Sequence, residues 1–181
     1  ESGAGGLNLG PTSNGTSKKL SYNAYRIQEQ RENKRGVLMN RKVHTPYYLI
    51  FEDRLRSNGR ILHDVEVRSG AKILLAEKAY SIYQTYAIIS EYLSGTTSSG
   101  LFEAKLAHEE FGREKEIHVF EPAFDSDEMQ ELCQISDHLY FNSLNQLEYH
   151  RGVWMEEKRQ REAADRTDLH IALRLNPELS T

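Results

Sequence analysis

Lysine closes a short apolar run, Ile73-Leu74-Leu75-Ala76-Glu77-Lys78. If that run is a buried strand, Lys78 stands at its C-terminal end, where α/β folds place their chemistry. Partial desolvation there lowers the pKa of an amine and lets it capture a carbonyl carbon. A solvated lysine closing a strand is the commoner outcome of the same pattern. Arg174 interrupts a second run, Leu173-Arg174-Leu175-Asn176-Pro177. Buried, it would need a carboxylate or phosphate partner. Strand alternation gives the other reading, an arginine facing solvent at a sheet edge. Pro177 ends the run by removing a backbone donor.

Three further groups carry less. Gly95-Thr96-Thr97-Ser98-Ser99-Gly100 precedes a helix beginning near Leu101. Its hydroxyls suit capping, and it lacks both the lysine of a P-loop and the GxGxxG order of a dinucleotide site. His44, His63, His108, His118, His138, His150 and His170 show no HExxH and no short-spaced cluster with carboxylates, so no metal is assigned. Cys133 falls on an apolar helical face and is read as core. Glu157/Arg161 and Glu162/Arg166 are i, i+4 pairs in a charge-balanced run, read as a solvated helix face.

The elements that must position these residues show in the apolar pattern. Short runs begin at Tyr47 and then near residues 72, 94, 117, 138 and 169. Near-continuous apolar runs fit strands buried on both faces. Between them lies helical spacing: Leu55, Leu62 and Val65; Ile82, Tyr86, Ile89 and Leu93; Phe102, Leu106, Ala107 and Phe111; Met129, Leu132 and Cys133; Leu144, Leu147 and Trp154. Strand and helix alternating predicts βα units and a parallel sheet. A (β/α)₈ barrel takes about 250 residues, so length alone favours an open doubly wound sheet of five strands.

The chain has 181 residues, 23 basic and 27 acidic, and a hydrophobic fraction of 38%. No run approaches the roughly 20 apolar residues of a membrane span. One cysteine excludes a disulfide scaffold. A net charge of −4 argues against a dedicated nucleic-acid binder. Residues 1–40 are read as a disordered or poorly ordered leader, rich in Gly, Ser, Thr and Asn at first, with a loose helix over residues 20–40. Residues 41–181 form the folded part.

The motifs together resemble the carboxynorspermidine decarboxylase family, fold-type III pyridoxal-phosphate enzymes related to ornithine decarboxylase and alanine racemase. The resemblance spans about Thr45 to Ser180. It rests on TPYYLIFEDRLRSN, RSGAKILLAEKAY, SGTTSSGLFEAKLAHEEFG, IHVFEPAFDSDE, DHLYFNSLNQLE and ALRLNPELS, in family order and spacing. It implies an α/β fold, a partial (β/α)₈ TIM barrel of about five βα units. Residues 41–181 would be the N-terminal part of the cofactor-binding barrel domain. Lys78 would carry pyridoxal 5'-phosphate, Glu103 would be the acid behind the cofactor ring, and Arg174 the strand arginine near its face. Ser98 and Asn142 would line the same side at strand ends. Glu77 departs from the family, where an apolar residue is usual.

The implied reaction decarboxylates carboxynorspermidine or carboxyspermidine to norspermidine or spermidine, in the cytoplasm. The phosphate loop, the acid on the pyridine nitrogen, the stacking histidine and a cysteine reaching the partner of a homodimer all lie further along in the family. The 181-residue chain alone is therefore expected to bind the cofactor poorly and not to turn over. Two alternatives stand beside this reading. One is a non-catalytic barrel remnant that pairs with another chain through its sheet edges. The other is a different fold-type III protein, such as an amino-acid racemase.

Overall fold

The structure is a computed structural model that describes residues 24–27 and 46–177. Two parallel strands come first: β1 (Ala24–Ile27) pairs with β2 (Tyr48–Phe51). Residues 24–27 thus form a strand where the sequence suggested a loose helix. The remainder of that suggested helix, and most of the expected leader, lie outside the described residues. Helix α1 (Glu52–Ser69) follows directly. Its first turn holds Glu52 and Asp53 and its last turn Arg68, each charge complementing the helix dipole. Gly70 ends it with φ of 71°, a left-handed cap that costs a glycine little.

A five-stranded parallel sheet then carries the body of the fold. Its strands are β3 (Leu74–Ala76), β4 (Gly95–Ser98), β5 (Glu116–Phe120), β6 (His138–Phe141) and β7 (His170–Leu173). They lie side by side in sequence order. A doubly wound sheet reverses its strand order at a switch point. This sheet has no reversal, so the expectation drawn from length alone is overturned. The strand starts agree with the sequence pattern to within two residues. Gly95 belongs in β4 because a Cβ there would lie 2.1 Å from the Glu116 carbonyl oxygen.

Between the strands lie α2 (Tyr86–Ile89) after a 3₁₀ turn at Tyr83–Thr85, α3 (Leu101–Glu110), α4 (Ser126–Ile135), α5 (Leu144–Tyr149) and α6 (Arg151–Ala163). Asp125 and Ser143 cap α4 and α5 through the N–H groups of Asp127 and Gln146. The main core joins Leu101, Ala104 and Ala107 of α3 to Ile117 and Val119 of β5. Met129, Leu132 and Cys133 of α4, Leu139 and Phe141 of β6, and the loop residues Phe124 and Leu169 complete it. A second cluster gathers Tyr86, Ile89, Leu93 and Phe111. One face of the sheet therefore carries the helices. Alternation sends Glu116, His118, Phe120, His138, Tyr140, His170 and Ala172 to the opposite face.

Several helical faces differ from the sequence expectation. Phe102 is 81% exposed; Ala107 and Phe111 are buried as expected, joined by Leu101 and Ala104. Leu62, Val65 and Leu144 are exposed as well. The stretch holding Ile82, Tyr86, Ile89 and Leu93 makes only one turn of α-helix. The pair Glu157 and Arg161 is not on a solvated face: the two residues are 6% and 3% exposed. The Arg161 guanidinium bonds Glu157 at 3.0 Å and donates to the carbonyls of Cys133 at 2.6 Å and Ser136 at 2.8 Å. Those carbonyls end α4, so a buried cation closes that helix from a neighbouring one. Arg166 turns toward Glu157 at 3.3 Å.

Candidate active site at the strand ends

Lys78 lies in the turn that follows β3 and is exposed. Backbone bonds from Ala79 and Tyr80 to the Ala76 carbonyl close that turn at 3.0 and 3.1 Å. Among the described residues, no side-chain bond or ion pair engages its amine. The residue before it does the opposite. Glu77 is fully buried, and its carboxyl accepts from the hydroxyls of Tyr86 at 3.1 Å and Ser98 at 2.5 Å. Burial pushes this carboxyl up to about 7 against the pull of those two hydrogen bonds, and nearby Glu103 adds to the rise. The Tyr86 hydroxyl is pushed upward too, by burial first and then by Glu77. The expected apolar position is thus filled by a carboxyl with two hydroxyl partners. The sequence showed Glu77 as out of place but gave no sign of Tyr86 and Ser98 as its partners.

The other expected site residues are placed as follows. Ser98 closes β4 on the helix-bearing side, 2% exposed, its hydroxyl held by Glu77. Glu103 sits in the first turn of α3 and accepts the Ser99 N–H at 2.6 Å, tying the chain that enters the helix to its first turn. Asn142 is exposed just past β6, and its backbone N–H donates to the Gln146 side chain at 3.3 Å. Arg174 follows β7 directly and is exposed, neither buried in the strand nor, among the described residues, paired with a carboxylate. Its guanidinium carbon lies 4.9 Å from the centre of the Phe120 ring. Asn142 and Arg174 are neighbours, because Phe141 pairs with Leu173 in register. Lys78 shares their end of the sheet but follows β3, four strand steps from β7. Cys133 is core, 1% exposed, and burial pushes its thiol up to about 12.

One constellation was missed in the sequence. The registers of β5, β6 and β7 align His118 with His138 and His138 with His170. The rings stack at 4.0 Å and 4.6 Å between centroids. His118 also reaches the Glu116 carboxylate through Nε2 at 3.1 Å and the Tyr140 hydroxyl through Nδ1 at 3.0 Å. Lys72 holds the other Glu116 oxygen. Burial works to raise the Glu116 carboxyl, but the bonds from Lys72 and His118 outweigh it and hold it below its ordinary value. Burial lowers His138, and the imidazoles on both sides lower it further. The only sequence signal was a histidine at or near the start of three successive strands, which becomes a row only once the register is known.

No family model matches the chain. Curated relatives do. A carboxynorspermidine/carboxyspermidine decarboxylase of Campylobacter jejuni is 42% identical over 139 residues, 77% of this chain and 33% of that protein. The enzyme of the same name from Herminiimonas arsenicoxydans is 36% identical over 138 residues, covering 76% and 34%. A carboxyaminopropylagmatine decarboxylase of Synechocystis is 32% identical over 136 residues, covering 75% and 32%. Among solved structures, carboxynorspermidine decarboxylase from Campylobacter jejuni, complexed with norspermidine, superposes with a TM-score of 0.60 at 43% identity. That match covers 63% of this chain and 30% of the other. The chain spans about a third of the length of the curated relatives it matches. Over that shared stretch, in sequence and in fold, the chain is a homologue of carboxynorspermidine decarboxylases.

Proposed function

We propose that this chain supplies the lysine-bearing segment of a (β/α)₈-barrel decarboxylase acting on carboxylated polyamines. The observation that carries the reading is Lys78. Its amine is exposed at the C-terminal end of β3, with no partner among the described residues, within a chain that is 42% identical to a decarboxylase over most of its length. A primary amine in that position suits capture of an aldehyde, so the residues present fit pyridoxal phosphate. When bound, that cofactor supplies an electron sink for the bond broken as CO₂ leaves. The sequential order of β3 to β7 supports a barrel segment, since barrel strands follow one another in this way.

The chain's own residues have separable roles. Lys78 offers the amine that holds the aldehyde. Glu77, Ser98 and Tyr86 fix the turn that carries it, from the helix side. Glu103 brings a carboxylate to the first turn of α3. Arg174 offers a cation to an anionic group at the same end of the sheet. The names of the relatives support a carboxylated triamine or carboxyaminopropylagmatine as the substrate class. The same reading carries a homodimer and a cytoplasmic location.

The test is covalent capture. The chain is incubated with a large excess of pyridoxal phosphate, so that weak reversible binding is still trapped, treated with borohydride and digested. Mass spectrometry is expected to place the fixed cofactor on the peptide holding Lys78, and Lys78→Ala is expected to lose it. Equal labelling of other lysines in both proteins would overturn the reading.

A further inference from the structure

We propose that Glu116, His118 and His138 form a binding site for a divalent metal ion of the zinc type, joining β5 to β6. The proposal is independent of the cofactor reading, because none of its residues is Lys78 or a neighbour of it in sequence. One ligand atom from each of the three residues falls within 4.8 Å of the others. Two imidazoles and one carboxylate are a ligand set that zinc and its transition-metal neighbours take. Calcium and magnesium prefer oxygen donors throughout, so the two nitrogens select against them.

Two of the ligands already face one another at a suitable spacing. Glu116 Oε2 and His118 Nε2 are 3.1 Å apart. Atoms bound to one tetrahedral ion at about 2.0–2.1 Å stand about 3.4 Å apart, so an ion could settle between them with a small outward shift. Their far atoms are tied back. Lys72 holds the other oxygen of Glu116, and the Tyr140 hydroxyl meets His118 Nδ1 at 3.0 Å. Outer partners of this kind fix the orientation and tautomer of metal ligands. In the bound form the imidazole hydrogen of His118 resides on Nδ1 and is donated to the Tyr140 oxygen. Nε2 then presents its lone pair, and the ring stays neutral.

His138 requires one rearrangement. Its ring lies almost parallel to His118, at an interplanar angle of 10°. A metal–nitrogen bond lies in the plane of its imidazole, so two parallel stacked rings share no common point. His138 must therefore turn out of line, giving up its stacks on both His118 and His170 for a bond to the ion. The residue is half-buried and on the face opposite the helices, where such a turn meets no helix. The result is a clasp across the middle of the sheet.

The test uses the full chain, freed of metal with a chelator and titrated with zinc chloride against a chromophoric competitor. One ion per chain is expected, with Kd of about 10 μM or tighter. Glu116→Gln and His138→Ala are each expected to weaken binding by about tenfold or more, while the exposed His63→Ala leaves it within about threefold. Equal affinity in all four proteins, or equal loss in His63→Ala, would overturn the site. X-ray absorption on the zinc-loaded parent needs no variant to fold. Two imidazoles with oxygen donors are expected, whereas a sulfur ligand or a shell without imidazole would refute the assignment.

Discussion

At the scale of single residues, the most consequential side chain is Glu77. A carboxyl with no solvent contact is easier to protonate than an exposed one, here even against the pull of two hydroxyl donors. Its folded value of about 7 lies above the ordinary 4.5. Between those two values the folded chain keeps a proton that the unfolded chain has released. The stability this contributes is complete below about pH 4.5 and is lost as pH rises through about 7. The full span is worth about 3 kcal/mol. Glu121, also pushed up to about 7 by burial and then by Glu128 and Asp125, acts in the same direction. The comparison must therefore be a difference between proteins. Glu77→Gln keeps the shape and cannot ionise. Urea unfolding at pH 5 and pH 8 should show the variant gaining on the parent at the higher pH, and parallel pH curves would exclude the assignment. Lys78 at the end of its apolar run, and the charged Glu77 before it, are legible in the sequence. It could not supply the partners, because Tyr86 and Ser98 come from a different helix and a different strand.

At the scale of elements, α6 shows how local reading misleads. Charges spaced four apart on a helix are most often solvated, since exposed pairs are cheap to form. Here the i, i+4 spacing holds, but the pair is buried between helices. Arg161 reaches past its own helix to the last carbonyls of α4, so the ion pair lies between two packed helices. Removing Arg161 leaves the buried Glu157 with only the half-exposed Arg166 at 3.3 Å. Arg161→Ala should cost about 3–5 kcal/mol in urea unfolding, and Arg161→Met combined with Glu157→Leu should recover most of that loss. A double variant as unstable as the single one would show that the carbonyl contacts, and not the stranded carboxylate, set the cost. The same lesson holds for α3. Leu101, Ala104 and Ala107 make its buried face, and Phe102 lies outside it. The apolar residues alone allowed either face, and the sheet beneath chose.

At the scale of the whole molecule, the five parallel strands divide into a centre and two edges. β4, β5 and β6 each pair on both sides, whereas β3 and β7 each pair on one side among the described residues. The main core also rests on β5 and β6. Amide hydrogen exchange should therefore protect Glu116–Phe120 and Leu139–Phe141 most, with Leu74–Ala76 and Ile171–Leu173 exchanging by smaller openings. Uniform protection across all five strands would contradict that gradient. The sequence by itself determined where the five strands begin, that they alternate with helices, and which decarboxylases the chain resembles. Apolar runs, turn residues and motif spacing are local and can be read along one dimension. Only the tertiary structure decided that the strands lie in sequence order, that Glu77 meets Tyr86 and Ser98, and that three distant histidines form one row. Strand register has a period of two, and a slip of a single residue would have sent each histidine to the other face. That choice is made by packing between elements far apart in the chain, and no local pattern records it.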